Sequence, residues 1–581
     1  MANWDTTVLP SVLLFSTGYV LLRTIEVGRV KARQSKPQAV TRGEALFSYS
    51  LVGAFVLLGV IGVLHHAMWR DETHGWLVAR FSKSLSALYI GTRYEAHFIL
   101  WNFLLWILTR FTHDCQAMQW FHLGLATGSV WLVVHFGPFT RIQKALYCFG
   151  YFAFFEYCLV CREYVCIGLL MFSLCALRGW RKDSFVPQAL ILFLLSNINV
   201  FATFIAFSFV AAAALEHFRS RDLGQLWTTK KWALIFSGLI LCAAVLGDGL
   251  QSIKPADALI ARSWQHPITA GDFAVALSNV WRGYVPIPTP FPLLVTAIEG
   301  SSHFVRLIWG SNFLLDYAPQ TLPFGVILSL GLLAASTWTL RRSPMAVAWY
   351  LSGTCLMLLF QSVINPGALR HHGLFFILYI ACLWCGFTRA RDQKPRSPPA
   401  SLPLRLERFF LPSILALQVV AGAYAWTLHL MMPFSASQLA ANFIREHGYA
   451  NLLIIGSKES LVAPVTAYLD RPIYYPDSER YGTYTLENTT RHDLTPPELV
   501  QSVAQMAMKA QGDTLLIWDR QFTSSQGGIT EALKSAWLSP DGHLSTLSKP
   551  PPEPRMKLSM LADFRFVIGD EVYSLYLINP P

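Results

Sequence analysis

Charged residues are scarce in this chain. Asp, Glu, Lys and Arg make up 14% of the 581 residues, whereas a soluble domain carries about a quarter, and this scarcity excludes an ordinary soluble protein. The chain is instead 53% hydrophobic, with a mean hydropathy of +0.39, which predicts a polytopic membrane protein. The net charge of +11 implies no nucleic-acid partner, because Lys and Arg collect in short segments between apolar runs, as they do at cytoplasmic ends of membrane spans.

Cysteine is absent from the C-terminal third of the chain. All ten cysteines lie between Cys115 and Cys385, mostly inside apolar runs. None is paired with histidines at metal-ligand spacing, so we predict free thiols packed as small hydrophobic side chains. The C-terminal third therefore needs no disulfide bond. A cleavable signal peptide is not predicted either, because the apolar residues 8–22 are not followed by a small-residue cleavage site, and we interpret them as a short first span.

Apolar runs recur from residue 8 to residue 431. Each is roughly long enough to cross about 30 Å of hydrocarbon. We predict an α-helical membrane protein with about 11–13 spans, drawn from the runs at 8–22, 45–66, 97–111, 117–136, 143–160, 162–177, 187–214, 232–250, 322–340, 344–363, 373–388 and 409–431.

Basic segments between these runs predict the orientation of the spans, because cytoplasmic loops are enriched in Lys and Arg. The segments predicted to be cytoplasmic are 29–42, 217–231, 341–342 and 389–408. The segments then predicted on the outer face are 67–96, 251–320, 364–372 and everything after 431.

One basic segment, RGWRKD (178–183), disagrees with this count, which puts it outside. Two explanations stay open at this point. Either the region 143–177 holds a re-entrant pair, or the run 187–214 consists of two half-helices broken at SNINV.

The chain changes character after residue 431. Alternating strand and helix signals predict an extracytoplasmic α/β domain of about 150 residues. The predicted strands are 450–456, 471–476 and 513–519, the predicted helices are 458–469, 495–511 and 530–537, and a terminal hairpin is predicted from 564–569 and 573–578. GSKES after the first strand lacks the glycine spacing of a nucleotide-binding fingerprint, so we predict no chemistry for this domain itself. The predicted divisions are 1–44, a first span with a basic loop; 45–431, the membrane domain; and 432–581, the α/β domain.

The stretch DETHGW (71–76) follows directly after a predicted span. Asp71 and Glu72 open the first outer loop, Arg80 follows within it, and Glu95 and His97 stand just before the next span. Acids from both ends of one loop can therefore converge at one membrane face. A carboxylate at that depth can deprotonate a hydroxyl or amine or hold a metal ion. The alternative is that these acids only solvate the end of the span.

A second group of charges lies in FFEYCLVCREYV (154–165). Glu156, Arg162 and Glu163 stand inside otherwise apolar sequence, where ionisable residues are costly and either face a cavity or pair with one another. Their spacing does not place Glu156 and Arg162 on one helical face. We therefore expect a local break in the helix that lets them line a cavity, with a structural ion pair as the alternative.

A third group follows a helix-breaking Pro366-Gly367 in NPGALRHHGLFF (365–376). Arg370 suits a phosphate group because its charge is permanent and its donors are bidentate. The alternative is a basic anchor at the membrane surface. A metal bound by both His371 and His372 is disfavoured, because neighbouring side chains on a helix diverge.

Three motifs together resemble the GT-C glycosyltransferases, which include the protein O-mannosyltransferases and the lipid A aminoarabinose transferase. The first loop opens with Asp-Glu and ends in YEAHFILW; EYCLVCREY is similar to an acidic-x-Arg-x-Tyr segment of many bacterial members. ALRHHGLFFILYIACLW resembles their late outer Arg motif. PFSASQLAANFIREHG (433–448) is similar to the start of the outer region in a bacterial branch.

This resemblance implies a polyprenyl-phosphate-linked sugar donor, an outer-facing site and inversion at the anomeric carbon. It also implies a multi-pass protein of the bacterial inner membrane with a periplasmic C-terminal domain. Asp71 would be the catalytic base, with Glu72 supporting it or helping to hold Mg²⁺ or Mn²⁺. Arg162 and Arg370 would neutralise the leaving phosphate. The other substrate-binding residues implied are Arg80, Glu95, His97, Glu156, Tyr164, His371 and His372.

The sequence departs from the family pattern at two places. Asp-Glu is often followed by Arg-Tyr, but here by Thr73-His74, and the usual Lys-Pro or His-Pro at the loop end is His97-Phe98. These departures put the roles of Glu95 and His97 in question and leave the acceptor (a glycan, a lipid or a protein) open.

Two other classes of protein fit parts of the sequence. A non-catalytic transporter or export component predicts related halves with broken helices, and no internal repeat is found. An O-antigen-ligase-like or polymerase enzyme would carry its arginines in a large late outer loop, and the loop 251–320 holds Arg262, Arg282 and Arg306. The early loop with its acids favours the glycosyltransferase.

Overall fold

The computed structural model of the protein describes residues 42–95, 97–180, 184–220, 223–259, 268–289, 310–316, 321–392, 403–489, 491–492, 494–510, 512–526, 529–532, 534–539, 541, 544–545 and 555–580. The predicted first span at 8–22 lies outside the described residues. So do Arg262, Arg306, nearly all of the basic segment 29–42 and the middle of the segment 389–408.

Helices make up the membrane part of the chain, as its apolar composition requires, because a helix satisfies its own backbone hydrogen bonds in lipid. In the described residues they are α1 (Arg42–His65), α2 (Arg70–Phe81), α3 (Leu85–Thr92), α4 (Ile99–Leu108), α5 (Gln116–Phe136), α6 (Arg141–Cys148), α7 (Tyr164–Trp180), α8 (Phe185–Ser196), α9 (Val200–Ser220), α10 (Leu223–Ser252), α11 (Ala270–Tyr284), α12 (Leu322–Leu340), α13 (Pro344–Val363), α14 (Leu369–Asp392) and α15 (Pro403–Met431).

Seven helical stretches among the described residues are long and apolar enough to cross a membrane. They are Arg42–His65, Val200–Arg219, Lys230–Ser252, Leu322–Leu340, Pro344–Val363, Leu369–Phe387 and Phe409–Met431. Large apolar side chains on them are exposed, among them Leu57, Phe236 and Ile327, which suits contact with lipid. The protein is therefore a polytopic membrane protein by composition and helix length. Other predicted runs form shorter apolar helices in the described residues, at Ile99–Leu108, Tyr164–Gly179 and Phe185–Ser196.

The run 187–214 is broken at SNINV, which was one of the two explanations left open above. Asn197 ends α8 with its side-chain amide donating to the Phe193 carbonyl at 2.8 Å, and the side-chain oxygen of Asn199 accepts from the Ala202 N–H at 3.0 Å at the start of α9. Asn competes for backbone groups in this way and so favours helix ends. The carbonyl groups released by the break accept hydrogen bonds from the N–H groups of Phe98 and Leu100.

A second break interrupts the predicted span at 143–160. After α6 the chain forms a π-helical turn over Tyr151–Glu156 and stays irregular until α7 begins at Tyr164. No continuous span therefore forms there. At the far end of α7, Arg178 pairs with Glu216 of α9, beside the basic segment 217–231. The breaks thus bring Arg178 to the same end of the bundle as that segment, which explains why simple counting of spans failed.

The C-terminal region is an α/β domain. Its elements in the described residues are α16 (Ser437–Glu446), β1 (Leu453–Ser457), α17 (Glu459–Leu469), β2 (Ile473–Tyr475), β3 (Arg480–Gly482), α18 (Pro496–Ala510), β4 (Thr514–Trp518), β5 (Thr523–Gln526), β6 (Ile529–Ala532), β7 (Ser535–Leu538), β8 (Leu544–Ser545), β9 (Met556–Phe564) and β10 (Tyr573–Asn579). Eight of these strands form a mixed sheet in the order β3-β2-β1-β4-β10-β9-β7-β8, in which β1 is parallel to β2 and β4, and β5 and β6 form a separate antiparallel pair.

Two predictions for this domain are wrong. The segment 530–537, predicted as a helix, falls mostly in the strands β6 and β7; in β7 the buried Ala536 and Leu538 alternate with Ser535 and Trp537, a period of two that marks a strand. The segment 564–569, predicted as the first strand of the terminal hairpin, is mostly the connection between strands. The antiparallel partner of β10 is β9, which lies earlier in the chain.

The C-terminal domain contacts one end of the helix bundle, which we call the domain end. The Met68 N–H donates to the Tyr468 hydroxyl at 2.8 Å, Arg80 forms two 3.1 Å hydrogen bonds with Asp470, and the Leu259 N–H donates to the Glu487 carbonyl at 2.9 Å. The described parts of the predicted outer segments 67–96 and 251–320 therefore lie at the same end as the chain after residue 431.

Helix α11 lies against the first turn of α14 with almost no space between their backbones. A Cβ atom at Gly283 would overlap with the carbonyl group of His372. We expect Gly283→Ala to lower the free energy of unfolding by about 1–3 kcal/mol, because backbone atoms cannot move aside cheaply. The thermal midpoint in detergent measures this change.

Gly331→Ala in α12 is the matched control, because nothing lies within 4 Å of the added Cβ atom. It should leave the midpoint unchanged or raise it slightly, since Gly is the poorer helix former. Equal midpoints for the two variants would contradict the close contact.

Candidate active site

Asp71 and Glu72 lie in the first turn of α2, directly after the turn that follows α1. Acidic residues stabilise this position because the helix dipole is positive at the N-terminus. Neighbouring side chains on a helix point about 100° apart. The two carboxylates consequently meet different surroundings.

Glu72 points into the protein and is 1% exposed. Its carboxylate accepts hydrogen bonds from the N–H groups of Trp69 at 3.1 Å and Cys161 at 2.6 Å, and its two oxygens lie 2.9 and 3.0 Å from Nε2 of His66. Since His66 follows α1 and Cys161 precedes α7, this one carboxylate joins three segments. The structure therefore gives Glu72 internal partners, away from those of Asp71.

Asp71 is 27% exposed at its side chain and contacts two arginines from distant parts of the chain. Its Oδ2 atom lies 2.8 Å from Nη1 of Arg162 and 2.9 Å from Nη2 of Arg370. Burial alone would raise the pKa of Asp71, but Arg370 and Arg162 outweigh it and hold the pKa well below its usual range. Asp71 is thus ionised at neutral pH in the arrangement seen here.

Arg162 is fixed from behind by a second carboxylate and an imidazole. Its Nε lies 3.2 Å from Oε2 of Glu163, and its Nη2 lies 2.9 Å from Nε2 of His97. The other ring nitrogen of His97 is 2.9 Å from Oε1 of Glu163. We call Asp71, His97, Arg162, Glu163 and Arg370 the Asp71 cluster. It is held together by ion pairs, as charged groups in an apolar bundle require.

Arg370, His371 and His372 begin α14 after a turn at Gly367, whose φ of +82° favours glycine. The Ala368 N–H donates to Nδ1 of His371 at 2.8 Å, and Nε2 of His372 lies 3.0 Å from the Pro366 carbonyl. Both histidines therefore contact backbone groups of the turn that precedes α14. Of these three residues, Arg370 is the one that contacts Asp71.

Two further predicted site residues, Tyr164 and Glu156, lie near the Asp71 cluster. The ring of Tyr164 lies 6.0 Å from the guanidinium carbon of Arg162 and 5.6 Å from the ring of His371. Glu156 is 4% exposed and accepts a hydrogen bond from the Tyr151 hydroxyl at 2.8 Å within the π-helical turn. Tyr164 is thus a wall of the cluster, whereas Glu156 is part of the packing behind it.

Glu95 and Arg80 have other partners. Glu95 lies 2.8 Å from Nε2 of His74, and Arg80 pairs with Asp470 of the C-terminal domain. The structure therefore brings Asp71, His97, Arg162 and Arg370 together, as the sequence predicted, and keeps Arg80 and Glu95 at other contacts of α2.

Some residues of this arrangement were not predicted. Glu163 belongs to the predicted second charge group but not to the predicted site residues. Arg70 donates to Asp570 through two nitrogens at 2.7 and 3.1 Å, and its N–H donates to Glu571 at 2.6 Å. The sequence shows that Arg70 stands beside Asp71 and that a second Asp-Glu pair occurs at 570–571. Neither observation predicts that Arg70 contacts Asp570.

The two carboxylates predicted as possible ligands of Mg²⁺ or Mn²⁺ do not fit a metal ion as arranged. Asp71 directs Oδ2 at two guanidinium groups, whereas Glu72 faces His66 and two backbone N–H groups. Among the residues that the structure describes, no group of three His, Cys, Asp or Glu side chains is placed to hold a metal. The chemistry proposed below uses none.

The His74–Glu95 pair should make stability depend on pH. Burial would lower the pKa of His74, but Glu95 raises it; burial would raise the pKa of Glu95, but His74 lowers it. The stabilisation is therefore complete between pH 4.5 and 6.5, the ordinary pKa values of the two groups. It is lost as the pH rises through the raised pKa of His74 or falls through the lowered pKa of Glu95.

We expect Glu95→Gln to lower the thermal midpoint by about 1–2 °C near pH 5.5 and by less near pH 9. Glu44→Gln is the control. Glu44 forms an ion pair with Arg141, and the charge of an arginine does not change over this pH range. A midpoint difference for Glu95→Gln that is the same at both pH values would contradict the paired state.

Comparison with known proteins adds no assignment. No protein-family model matches the chain, and no curated protein matches it. The resemblance to GT-C glycosyltransferases therefore stays a prediction.

Proposed function

We propose that this protein is an inverting membrane glycosyltransferase that moves a sugar from a polyprenyl-phosphate donor to an acceptor hydroxyl or amine. The observation that carries the proposal is a partly exposed carboxylate held between two arginines at one end of an apolar helix bundle. A lipid-linked phosphate is a substrate that needs both an apolar surround and guanidinium groups at the membrane boundary.

The charges of the cluster suit this reaction. A polyprenyl-phosphate sugar is a phosphodiester with one negative charge, so donor and ionised Asp71 together present two negative charges to Arg162 and Arg370. After transfer the phosphate carries two negative charges and Asp71, having taken a proton, carries none. The negative charge beside Arg162 and Arg370 is therefore the same before and after the step, with the Glu163 carboxylate on Arg162 adding one further negative charge in both states, so transfer needs no net change of charge in a low-dielectric surround.

The step balances as a single displacement. The acceptor oxygen or nitrogen attacks the anomeric carbon and forms the new glycosidic bond. The bond from that carbon to the phosphate oxygen breaks, and its electron pair leaves with the phosphate beside Arg162 and Arg370. The acceptor proton passes to Asp71. Because attack and departure occur on opposite faces, the anomeric configuration inverts.

The low pKa of Asp71 in the resting site makes it a weak base, since a general base works best when its pKa lies near the operating pH. A donor phosphate would compete for the guanidinium groups that hold this pKa down, and its own negative charge would raise the pKa further. Donor binding would thus turn Asp71 into a better base. Glu163 and His97 would keep Arg162 in place meanwhile.

The proposal also includes a bacterial inner membrane with the domain end on the periplasmic side. The support is the distribution of basic residues, which mark cytoplasmic ends of spans. Arg141 pairs with Glu44 in the first turn of α1, the end of that helix away from the C-terminal domain, and Arg178 pairs with Glu216 beside the basic segment 217–231.

Removing the proposed base should stop transfer. We expect Asp71→Asn to slow transfer about 10²–10⁴-fold, because asparagine cannot accept the acceptor proton. The measurement follows radiolabelled hexose leaving a panel of polyprenyl-phosphate hexoses in membranes that contain the protein. Glu44→Gln, at the opposite end of the bundle, should keep full activity. Transfer by Asp71→Asn at the wild-type rate, with protein of normal thermal midpoint, would overturn the assignment.

The proposed phosphate contact can be tested separately from catalysis. Decaprenyl phosphate should bind Arg370→Gln about 10–100-fold more weakly than wild type, with Arg370→Lys in between, because lysine keeps the charge but loses the bidentate geometry. Arg141→Gln is the matched control, since Arg141 pairs with Glu44 away from the cluster. Equal binding by Arg370→Gln and wild type would exclude a phosphate at this position.

A further inference from the structure

A second candidate site lies where the C-terminal domain meets the loop that follows α4. A cavity of about 510 Å³ opens there between residues 113–116 and the helix α16, within the usual size of ligand pockets, about 300–1,000 Å³. None of its lining residues belongs to the Asp71 cluster. The cavity is therefore separate from the proposed reaction centre.

One face of α16 supplies a polar wall of this cavity. Gln438, Asn442 and Arg445 line it at spacings of four and three residues, which places them on one side of a helix. The opposite side packs into the protein through Ala440, Ala441 and Ile444, all buried. Packing of that buried side consequently fixes which residues face the cavity.

The charged side chains of the cavity contact other groups of the protein, and Asp114 accepts a hydrogen bond from the Gln116 N–H at 2.9 Å. Asp470 is held by Arg80 through two hydrogen bonds of 3.1 Å and lies 3.6 Å from His113, and Arg445 donates to the Tyr468 carbonyl. Within the part of the chain that the structure describes, the side-chain amides of Gln116, Gln438 and Asn442 have no hydrogen-bond partner in the protein.

Three unpaired carboxamides offer both donors and acceptors, and the formal charges around the cavity cancel: Asp114 and Asp470 carry two negative charges, and Arg445 and the Arg80 that holds Asp470 carry two positive ones. This chemistry suits a neutral ligand rich in hydroxyl groups rather than an anion or a lipid tail. We propose that the cavity binds a neutral oligosaccharide on the acceptor side of the reaction, an inference that rests on the proposed glycosyltransferase function for its role in transfer.

The length of α2 sets the size of this ligand. Asp71 stands in the first turn of α2, and Arg80, which holds Asp470 at the cavity, stands in its last turn. Nine residues of helix separate them, which is about 14 Å at 1.5 Å per residue. An acceptor that occupies the cavity and also presents its reacting group near Asp71 has to be an extended oligosaccharide and not a single sugar.

The test is binding of neutral glucose, mannose, galactose and N-acetylglucosamine oligomers of one to four units to the protein in nanodiscs, measured by saturation-transfer NMR. Wild type should bind a tetramer more tightly than its monosaccharide. Asn442→Leu should weaken that binding about tenfold through lost hydrogen bonds. Glu446→Gln, on the same helix but not lining the cavity, is the matched control and should bind as wild type does.

Tetramer binding by Asn442→Leu at the wild-type affinity would overturn the proposal. So would selective binding of a Ser/Thr-rich peptide in place of saccharides, because the ligand would then be a polypeptide. Asp71→Asn should retain saccharide binding while losing transfer. If Asn442→Leu loses saccharide binding but wild type transfers from no polyprenyl-phosphate hexose, the saccharide site stands and the proposed glycosyltransferase function fails.

Discussion

The ion pairs of Asp71 with Arg162 and Arg370 are the contacts on which the arrangement of this end of the bundle depends. They join the start of α2, the irregular segment before α7 and the first turn of α14 at distances of 2.8 and 2.9 Å. Charges this close to lipid are stable only when paired. Arg162 lies in the irregular segment before α7 and Arg370 at the start of α14 after the turn at Gly367, so both arginines reach Asp71 from places where the helical backbone is interrupted.

Helix geometry points the side chains of Asp71 and Glu72 in different directions, so the two acids have different partners. Glu72 is buried and satisfied by His66 and two backbone N–H groups, so it positions the turn that presents Asp71. Asp71 keeps 27% of its side chain exposed and meets the arginines. A pair that looks like one motif in the sequence is thus a structural carboxylate beside an accessible one, and substitution of each should disturb a different property of the protein.

The sequence predicted which charged residues belong to this site. It did not predict which of them contact residues far away in the chain. The predicted orientation of the spans and the resemblance to GT-C glycosyltransferases placed Asp71, Arg162 and Arg370 at one site, and a break at SNINV was one of the two explanations for the disagreement at 178–183. No local pattern indicates that His97 and Glu163 fix Arg162, or that Arg70 pairs with Asp570, 500 residues away. The strand β7 was also missed, because its four residues give too short a period-two pattern beside an apparent helix.

The C-terminal domain belongs to the framework of the site and does not merely cover it. Its terminal hairpin places Asp570 on the guanidinium of Arg70 and Glu571 on the Arg70 N–H and the Ser435 hydroxyl. Burial raises the pKa of Glu571 to about 8, and Asp570 is the carboxylate nearer to the guanidinium of Arg70, with an oxygen 2.7 Å from Nη1 against 3.7 Å for Glu571. Because Arg70 directly precedes Asp71, the domain fixes the first turn of α2 from outside while Glu72 fixes it from inside. Asp71 can therefore hold its position between two arginines even though its own side chain is partly open.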